Sequence, residues 1–413
     1  MKIDGRGLAV ILIAVGALLV GAYQFGSHKS ALAPTSAIAS EAGPLKPGAV
    51  MPANHPALPE SDSSAVFGAN SKFTHFEIGN RNVKSILADG NIVWIGTSGG
   101  VIRYDAAADK YKVFNNHIPG ILSNGVFHVS KLGKRILVGT YGGGLSVYDP
   151  AANKWHNINI PDGLADQFVY DVLQASNGDV WIATWSGVNR VKGGALDDPS
   201  KWQTFTVENT NGGLPNPWVY GLDEGKDGTM WFATEYGLAR YKDGKWDHWQ
   251  HSDGLGADFA EVKDAIQFTD DPGLASSHHA QQKAEQGLQG VNVAYNPNYI
   301  ISMVVDNNGV VWCGTWGAGL ARFDGHSWHN FTTKDGLPGN HIFMLYKDAK
   351  GRVWAGTSRG LARLNDDGKS FSVVTTEQGL FADNVFSMAD AADGSVWVGS
   401  FGGVAHITPS SRM

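Results

Sequence analysis

From Val83 to Thr408 the chain alternates short apolar runs with glycine-containing turns, and the runs recur on a regular schedule. The clearest pieces are IVWIGTSGGVIRYD, RILVGTYGGGLSVYD, DVWIATWSGVNRVK, TMWFATEYGLARYK, VVWCGTWGAGLARFD, RVWAGTSRGLARLN and SVWVGSFGGVAHIT. Their marker positions, Trp94, Leu137, Trp181, Trp231, Trp312, Trp354 and Trp397, are separated by 43, 44, 50, 81, 42 and 43 residues, so a single interval carries a large insertion. Each unit reads as four short strands. In the first they are Val83 to Ala88, Val93 to Gly96, Val101 to Tyr104 and Tyr111 to Phe114, with turns at Asp89-Gly90-Asn91 and Gly99-Gly100. Four antiparallel strands per unit, apolar on both faces, describe a propeller blade, which buries both faces only by packing on copies of itself. Seven copies predict an all-β, seven-bladed β-propeller.

The fourth strand recurs six times, as in Trp155 to Ile158 and Trp246 to Trp249, while the last unit stops after its third strand at Ile407. An unmatched copy, Phe73 to Phe76, precedes the first unit. It is expected to complete the last blade and remove the open edges of the ring.

Ahead of the repeats, Leu8 to Phe25 is 18 residues without a charge, preceded by Lys2 and Arg6. This predicts a transmembrane signal-anchor helix with a cytoplasmic N-terminus and everything after it exported. Cleavage as a signal peptide is the alternative, since Ala31-Leu32-Ala33 and Ala37-Ile38-Ala39 resemble processing sites. The expected organisation is an N-terminus and anchor over 1–29, a Pro/Ala/Ser-rich linker over 30–70, the propeller over 71–408 with an insertion at about 260–298, and a tail over 409–413.

A Gly-Leu-Pro turn, an apolar strand, Asp-x-x-Gly, Trp-x-Gly-Thr and Gly-Leu-x-Arg follow one another in GLPGNHIFMLYKDAKGRVWAGTSRGLARLN, Gly336 to Asn365. In this combination the chain resembles the two-component regulator propeller repeat, across about residues 71 to 408. The resemblance implies an extracytoplasmic, ligand-sensing propeller of the kind that commonly forms the sensor of hybrid histidine kinases. No kinase follows the last repeat here, so any signal is expected to pass through another protein.

Composition narrows the partners. The formal net charge of −7 removes the electrostatic reason to expect nucleic acid. Cys313 is the lone cysteine, which excludes an intrachain disulfide and a cysteine-rich zinc site, and its column is otherwise apolar. No cofactor and no metal are expected: His278 and His279 are adjacent and do not share a helix face. Gly96 to Gly100 and Gly356 to Gly360 match Gly-x-Ser-x-Gly, but that nucleophile motif needs a strand turning into a helix. Ser98 and Ser358 sit between two strands and read as turn residues. The recurring threonines, such as Thr97 and Thr234, read as caps on those turns. His128 and Asp171 occupy equivalent inner-strand positions in adjacent units and are expected to pair.

The slot after each threonine varies, and in four units it is aromatic: Tyr141, Trp185, Trp316 and Phe401. One residue before the inner strands stand Phe168, Trp218, Tyr299 and His341. Both sets should lie on one loop face near the channel mouth, forming a ligand or partner surface or packing between blades. The insertion, with a helix-like stretch from Ser277 to Leu288, should rise over the same face as a lid or docking element. The expected function is a membrane-anchored, extracytoplasmic module on the periplasmic side of an inner membrane that binds a small molecule, glycan or protein. The alternatives are a scaffold of an envelope complex or, less favoured, a propeller lyase similar to streptogramin lyase.

Overall fold

The computed structural model describes residues 66–68, 70–117, 120–266, 268 and 277–409. Strands run from Lys72 to Thr408, and every strand pair among the described residues is antiparallel. A representative sheet comprises Val219–Glu224, Met230–Thr234, Gly237–Lys242 and Lys245–Trp249, each antiparallel to the next and ordered from the axis outward.

The expectation of seven separate blades is corrected: among the described residues the strands form six sheets, five of four strands and one of six. The first and last copies of the repeat share the larger sheet. Lys72–Asp89 is a single 18-residue strand that pairs with Val396–Thr408 through Lys72 to Glu77 and with Ile92–Thr97 through Val83 to Asp89. The last copy also has Ser400 where the others have threonine. Its hydroxyl donates to the Ala382 carbonyl instead of closing a turn, and the strand continues through Phe401-Gly402-Gly403. Phe73 pairs with Ile407 and Phe76 with Val404, so the N-terminal segment does join the C-terminal sheet. The membrane-spanning helix expected from the sequence falls at Leu8 to Phe25. That stretch lies outside the described residues, and no helix among those described is long and apolar enough to cross a membrane.

The repeat motif has a physical reason at each position. The marker indoles are buried, and two of them donate Nε1–H to the aspartate of their own Asp-x-x-Gly turn: Trp312 to Asp306 at 3.1 Å and Trp354 to Asp348 at 2.9 Å. The arginine of Gly-Leu-x-Arg, or of its variant Gly187-Val188-Asn189-Arg190, lies directly across the strand pair and covers the ring, with Arg190 5.5 Å from Trp181 and Arg240 5.7 Å from Trp231. The glycine before the threonine lets the neighbouring copy approach: a Cβ on Gly356 would sit 2.6 Å from the Val385 carbonyl oxygen. The threonine hydroxyl donates to the carbonyl of the turn glycine, as from Thr234 to Gly237 at 2.7 Å, and accepts the Tyr236 N–H at 3.1 Å. Ser98 and Ser358 lie on such two-strand turns. Cys313 is fully buried in the core.

Polar bonds link the inner strands around the axis. The Val129 N–H donates to Ser85 Oγ, the Leu222 N–H to Asp171 Oδ2 and the Val305 N–H to Asp223 Oδ2. The Leu345 N–H donates to Ser302 Oγ, the Asp390 N–H to Tyr346 Oη, and Ser387 Oγ donates to the Val83 carbonyl; with the contact of His128 and Asp171 these close the circuit. The inner-strand side chains are thereby held around a common axis.

Candidate functional site

The inner strands surround a cavity of about 320 Å³ on the axis. The residue that follows the first valine or isoleucine of each inner strand faces it. Five of these positions form an aromatic course: Phe127, Tyr170, Tyr220, Phe343 and Phe386. The rings are in contact, with centroids 4.5 Å apart for Phe127 and Tyr170, 4.7 Å for Tyr170 and Tyr220, and 5.1 Å for Phe343 and Phe386. Ile301 and Lys84 complete the course, and Lys84 Nζ lies 4.5 Å from the centre of the Phe386 ring.

His128 and Asp171 line the same cavity and pair as expected, Nδ1 to Oδ1 at 2.9 Å. Asp171 also accepts the N–H groups of Val172 and Leu222 at 2.8 Å each, so the carboxylate is held by two backbone donors as well as the imidazole. His128 Nε2 is buried with no hydrogen-bond partner among the described residues.

Above this cavity lie the candidates from the loop face. Seven of the eight belong to one arc. Tyr141 meets Phe168, Phe168 meets Trp185, and Trp185 meets Trp218, each pair edge to face with centroids 4.7 Å apart. The arc continues through His279 of the insertion, 5.8 Å from Trp218 and 6.5 Å from Tyr299, then Trp316 at 6.1 Å from Tyr299 and His341 at 4.9 Å from Trp316. Phe401 stands apart from it. It is half-buried within the long C-terminal strand, opposite Asn82.

The members differ in exposure. Trp185, Tyr299, Trp316 and His341 are buried, whereas Tyr141, Phe168 and Trp218 are half-buried. His341 Nε2 bonds to the Ala294 carbonyl at 2.8 Å, and burial pushes its imidazole down to about 4. The indole N–H groups of Trp185 and Trp316 have no acceptor among the described residues.

The insertion forms part of this roof. The helix Ser277–Glu285 brings His279 Nδ1 within 2.5 Å of Glu235 Oε1, and Tyr220 Oη donates to Glu235 Oε2 at 2.9 Å. Glu235 is completely buried and occupies the varied slot after Thr234. Burial first, and the Glu235 charge second, hold the hydroxyls of Tyr170, Tyr220 and Tyr299 well above their ordinary value. Phe268 packs 4.8 Å from His341 and stacks on Trp316 at 6.1 Å. A small apolar cluster of Ala257, Val262, Tyr295 and Ala318 anchors the insertion, with Tyr295 Oη donating to the Ala257 carbonyl at 2.8 Å.

The sequence reading missed the inner course, Lys84, and the Glu235–His279 contact. The course was detectable in principle, because its positions share one repeat column that is as varied and as aromatic as the loop slot. The pairing of Glu235 with His279 joins residues 44 positions apart through an insertion that has no counterpart in the other copies, so no column signals it.

These features define a β-propeller with a roofed axial cavity, and comparison with known proteins places the repeats. The family model described as two component regulator propeller matches residues 163–186, 213–236, 294–317 and 336–359, so the chain carries these repeats, as its motifs implied. Among solved structures, the extracellular domain of a hybrid two component system from B. thetaiotaomicron is similar with a TM-score of 0.62 at 21% identity over 83% of this chain and 42% of that one. A second extracellular domain from B. thetaiotaomicron, of a one component system, gives a TM-score of 0.56 at 20% identity over 81% of this chain and 39% of that one. The chain thus spans about two fifths of the length of these domains. A catalytically inactive virginiamycin B lyase from Staphylococcus aureus, solved with quinupristin, gives a TM-score of 0.56 at 11% identity over 82% of this chain and 99% of that one. At these identities the likeness is one of fold. No functionally curated protein matches the chain.

Proposed function

We propose that this chain is an extracytoplasmic sensory propeller that binds a small molecule in its axial cavity, tethered through the apolar run Leu8 to Phe25 and the proline-rich stretch that follows. The observation that carries the reading is the cavity wall itself. Five rings present apolar surface toward a space of about 320 Å³, while Lys84 and His128 bring polar ends to it. Aromatic walls with a few placed polar groups are the usual build of a small-molecule site.

The insertion is the lid of this site. It meets the roof through Phe268 and His279, so ligand entry is coupled to the Glu235–His279 contact. Tyr141, Phe168 and Trp218 form the rim, and the buried Trp185, Tyr299, Trp316 and His341 support the roof. Phe401 lies on a separate part of that face, available to a protein partner that carries the signal onward. The domain boundaries expected from the sequence are retained as part of this proposal.

The similarity to extracellular domains of two component systems supports the sensory reading, and the similarity to a lyase adds only the fold. Catalysis by acid and base is less well supported, because Asp171 and Glu235 are each committed to hydrogen-bonded partners. The test uses Gly221→Leu in the full chain in detergent. Gly221 lines the cavity, and a Cβ there meets only ordinary contacts at 3.5 Å, so the added side chain fills the space without forcing the backbone. Small molecules that raise the melting temperature of the parent protein should lose that effect in the variant. Equal stabilisation of both proteins would move the site elsewhere.

A further inference from the structure

We infer that Lys84 makes the axial cavity a receptor for small organic monoanions, with a carboxylate or sulfonate head on an apolar or aromatic body. This rests on the ligand-binding reading of the cavity and names its ligand class. Lys84 stands where the other copies place Phe127, Tyr170, Tyr220, Ile301, Phe343 and Phe386, so one cation interrupts an otherwise apolar and aromatic course. Its ammonium lies over the Phe386 ring, and no carbonyl, carboxylate or hydroxyl among the described residues accepts its protons. The side chain is half-buried, so the ammonium is open to the cavity, and an anion entering that space meets a cation that no side-chain oxygen already holds.

The nearby groups leave this charge uncompensated. His128, Tyr170, Asp171, Tyr220 and Tyr346 are the other titratable groups lining the cavity. Asp171 is the single carboxylate among them, and both its oxygens are already engaged by His128, Val172 and Leu222. Burial, with no acidic neighbour to oppose it, pushes the Lys84 amine down to about 8. One lysine matches one negative charge; a phosphate dianion beside Asp171 would leave an unbalanced charge in a largely apolar space. The buried His128 Nε2 is available to a hydroxyl or amide N–H on the ligand body.

The test compares phenylacetate with phenylacetamide, which share a shape and differ in charge, by calorimetric titration of the full chain in detergent. Phenylacetate is expected to bind about tenfold more tightly than the amide near neutral pH. Lys84→Met should abolish that preference, with Lys84→Gln as a second variant and circular dichroism confirming the fold of both. Phenylacetate affinity should fall as pH rises past about 8, where the free amine loses its proton, while amide affinity stays level. Equal affinities in the parent protein, a preference that survives Lys84→Met, or no saturable binding of either compound at millimolar concentration overturns the inference. If both compounds bind alike and lose binding in Gly221→Leu, the anion assignment fails and the cavity reading stands. If phenylacetate binds Lys84→Met and Gly221→Leu as it binds the parent, both fail.

Discussion

Thr234 and Glu235 are adjacent in sequence yet illustrate two regions governed by different constraints. Thr234 and its counterparts Thr97, Thr140, Thr184, Thr315 and Thr357 all donate to the carbonyl of a turn glycine over 2.7 to 3.0 Å. The next residue is tyrosine, tryptophan or glutamate in three successive copies, Tyr141, Trp185 and Glu235, and each finds a different partner in the roof. The first group satisfies the backbone of its own turn, a demand identical in each copy. The second lies in the roof, where the neighbours differ from copy to copy. Recurrence therefore marks the frame of this molecule, and departures from recurrence mark its candidate site.

The most severe test of that contrast is a change in the frame. Gly237 has φ of +111°, and a Cβ there would lie 2.2 Å from the Trp249 carbonyl oxygen. Gly237→Ala is expected to cost about 3 kcal/mol or more, read by urea unfolding, or to prevent folding. A near-neutral result would show that the turn geometry is not the constraint that selects glycine.

A large effect is also expected in the roof, through His341. Its folded-state value is depressed to about 4 from 6.5, so the unfolded chain binds a proton first as pH falls. Stability should drop between pH 6.5 and 4, by on the order of 3 kcal/mol, and level off below. His341→Gln, which can still donate to the Ala294 carbonyl, should flatten that part of a stability-versus-pH curve. An unchanged curve would assign the acid sensitivity to other groups.

Thr234→Val keeps the shape of the side chain and removes both of its hydrogen bonds. A loss of about 1–2 kcal/mol in denaturant unfolding is expected. At the rim, Tyr141→Leu removes edge contacts with Phe168 and Phe127 and should cost about 1 kcal/mol or less. If the rim substitution proved the more damaging of the two, the division between frame and site would need to be redrawn.

Much of the fold was legible because it is local. The turn, the threonine cap, the tryptophan and the glycine that admits the next copy all lie within a short stretch, and their chemistry repeats in register. The pairing of Phe73 with Ile407 was legible for a similar reason: one missing strand and one surplus strand had to meet. The number of sheets was misjudged because counting copies assumes that each ends in a turn. Lys72–Asp89 runs on from one copy's edge into the next copy's inner strand, and Ser400 does not close the turn that threonine closes elsewhere. For the candidate site, seven of the eight loop residues lie along one arc of ring contacts and Phe401 lies apart from it. The cavity below them, with Lys84 at its wall, was overlooked because an inner-strand residue reads as core until the axis is known to be hollow.

By itself the sequence determined a closed array of antiparallel sheets, since apolar runs of that length and spacing can be buried only against copies of themselves. Tertiary structure alone decided which side chains meet at the axis. Lys84 and Phe386 are 302 positions apart, and Glu235 and His279 meet across an insertion; the distances between them are set by ring closure, a property of the whole circuit and of no single repeat.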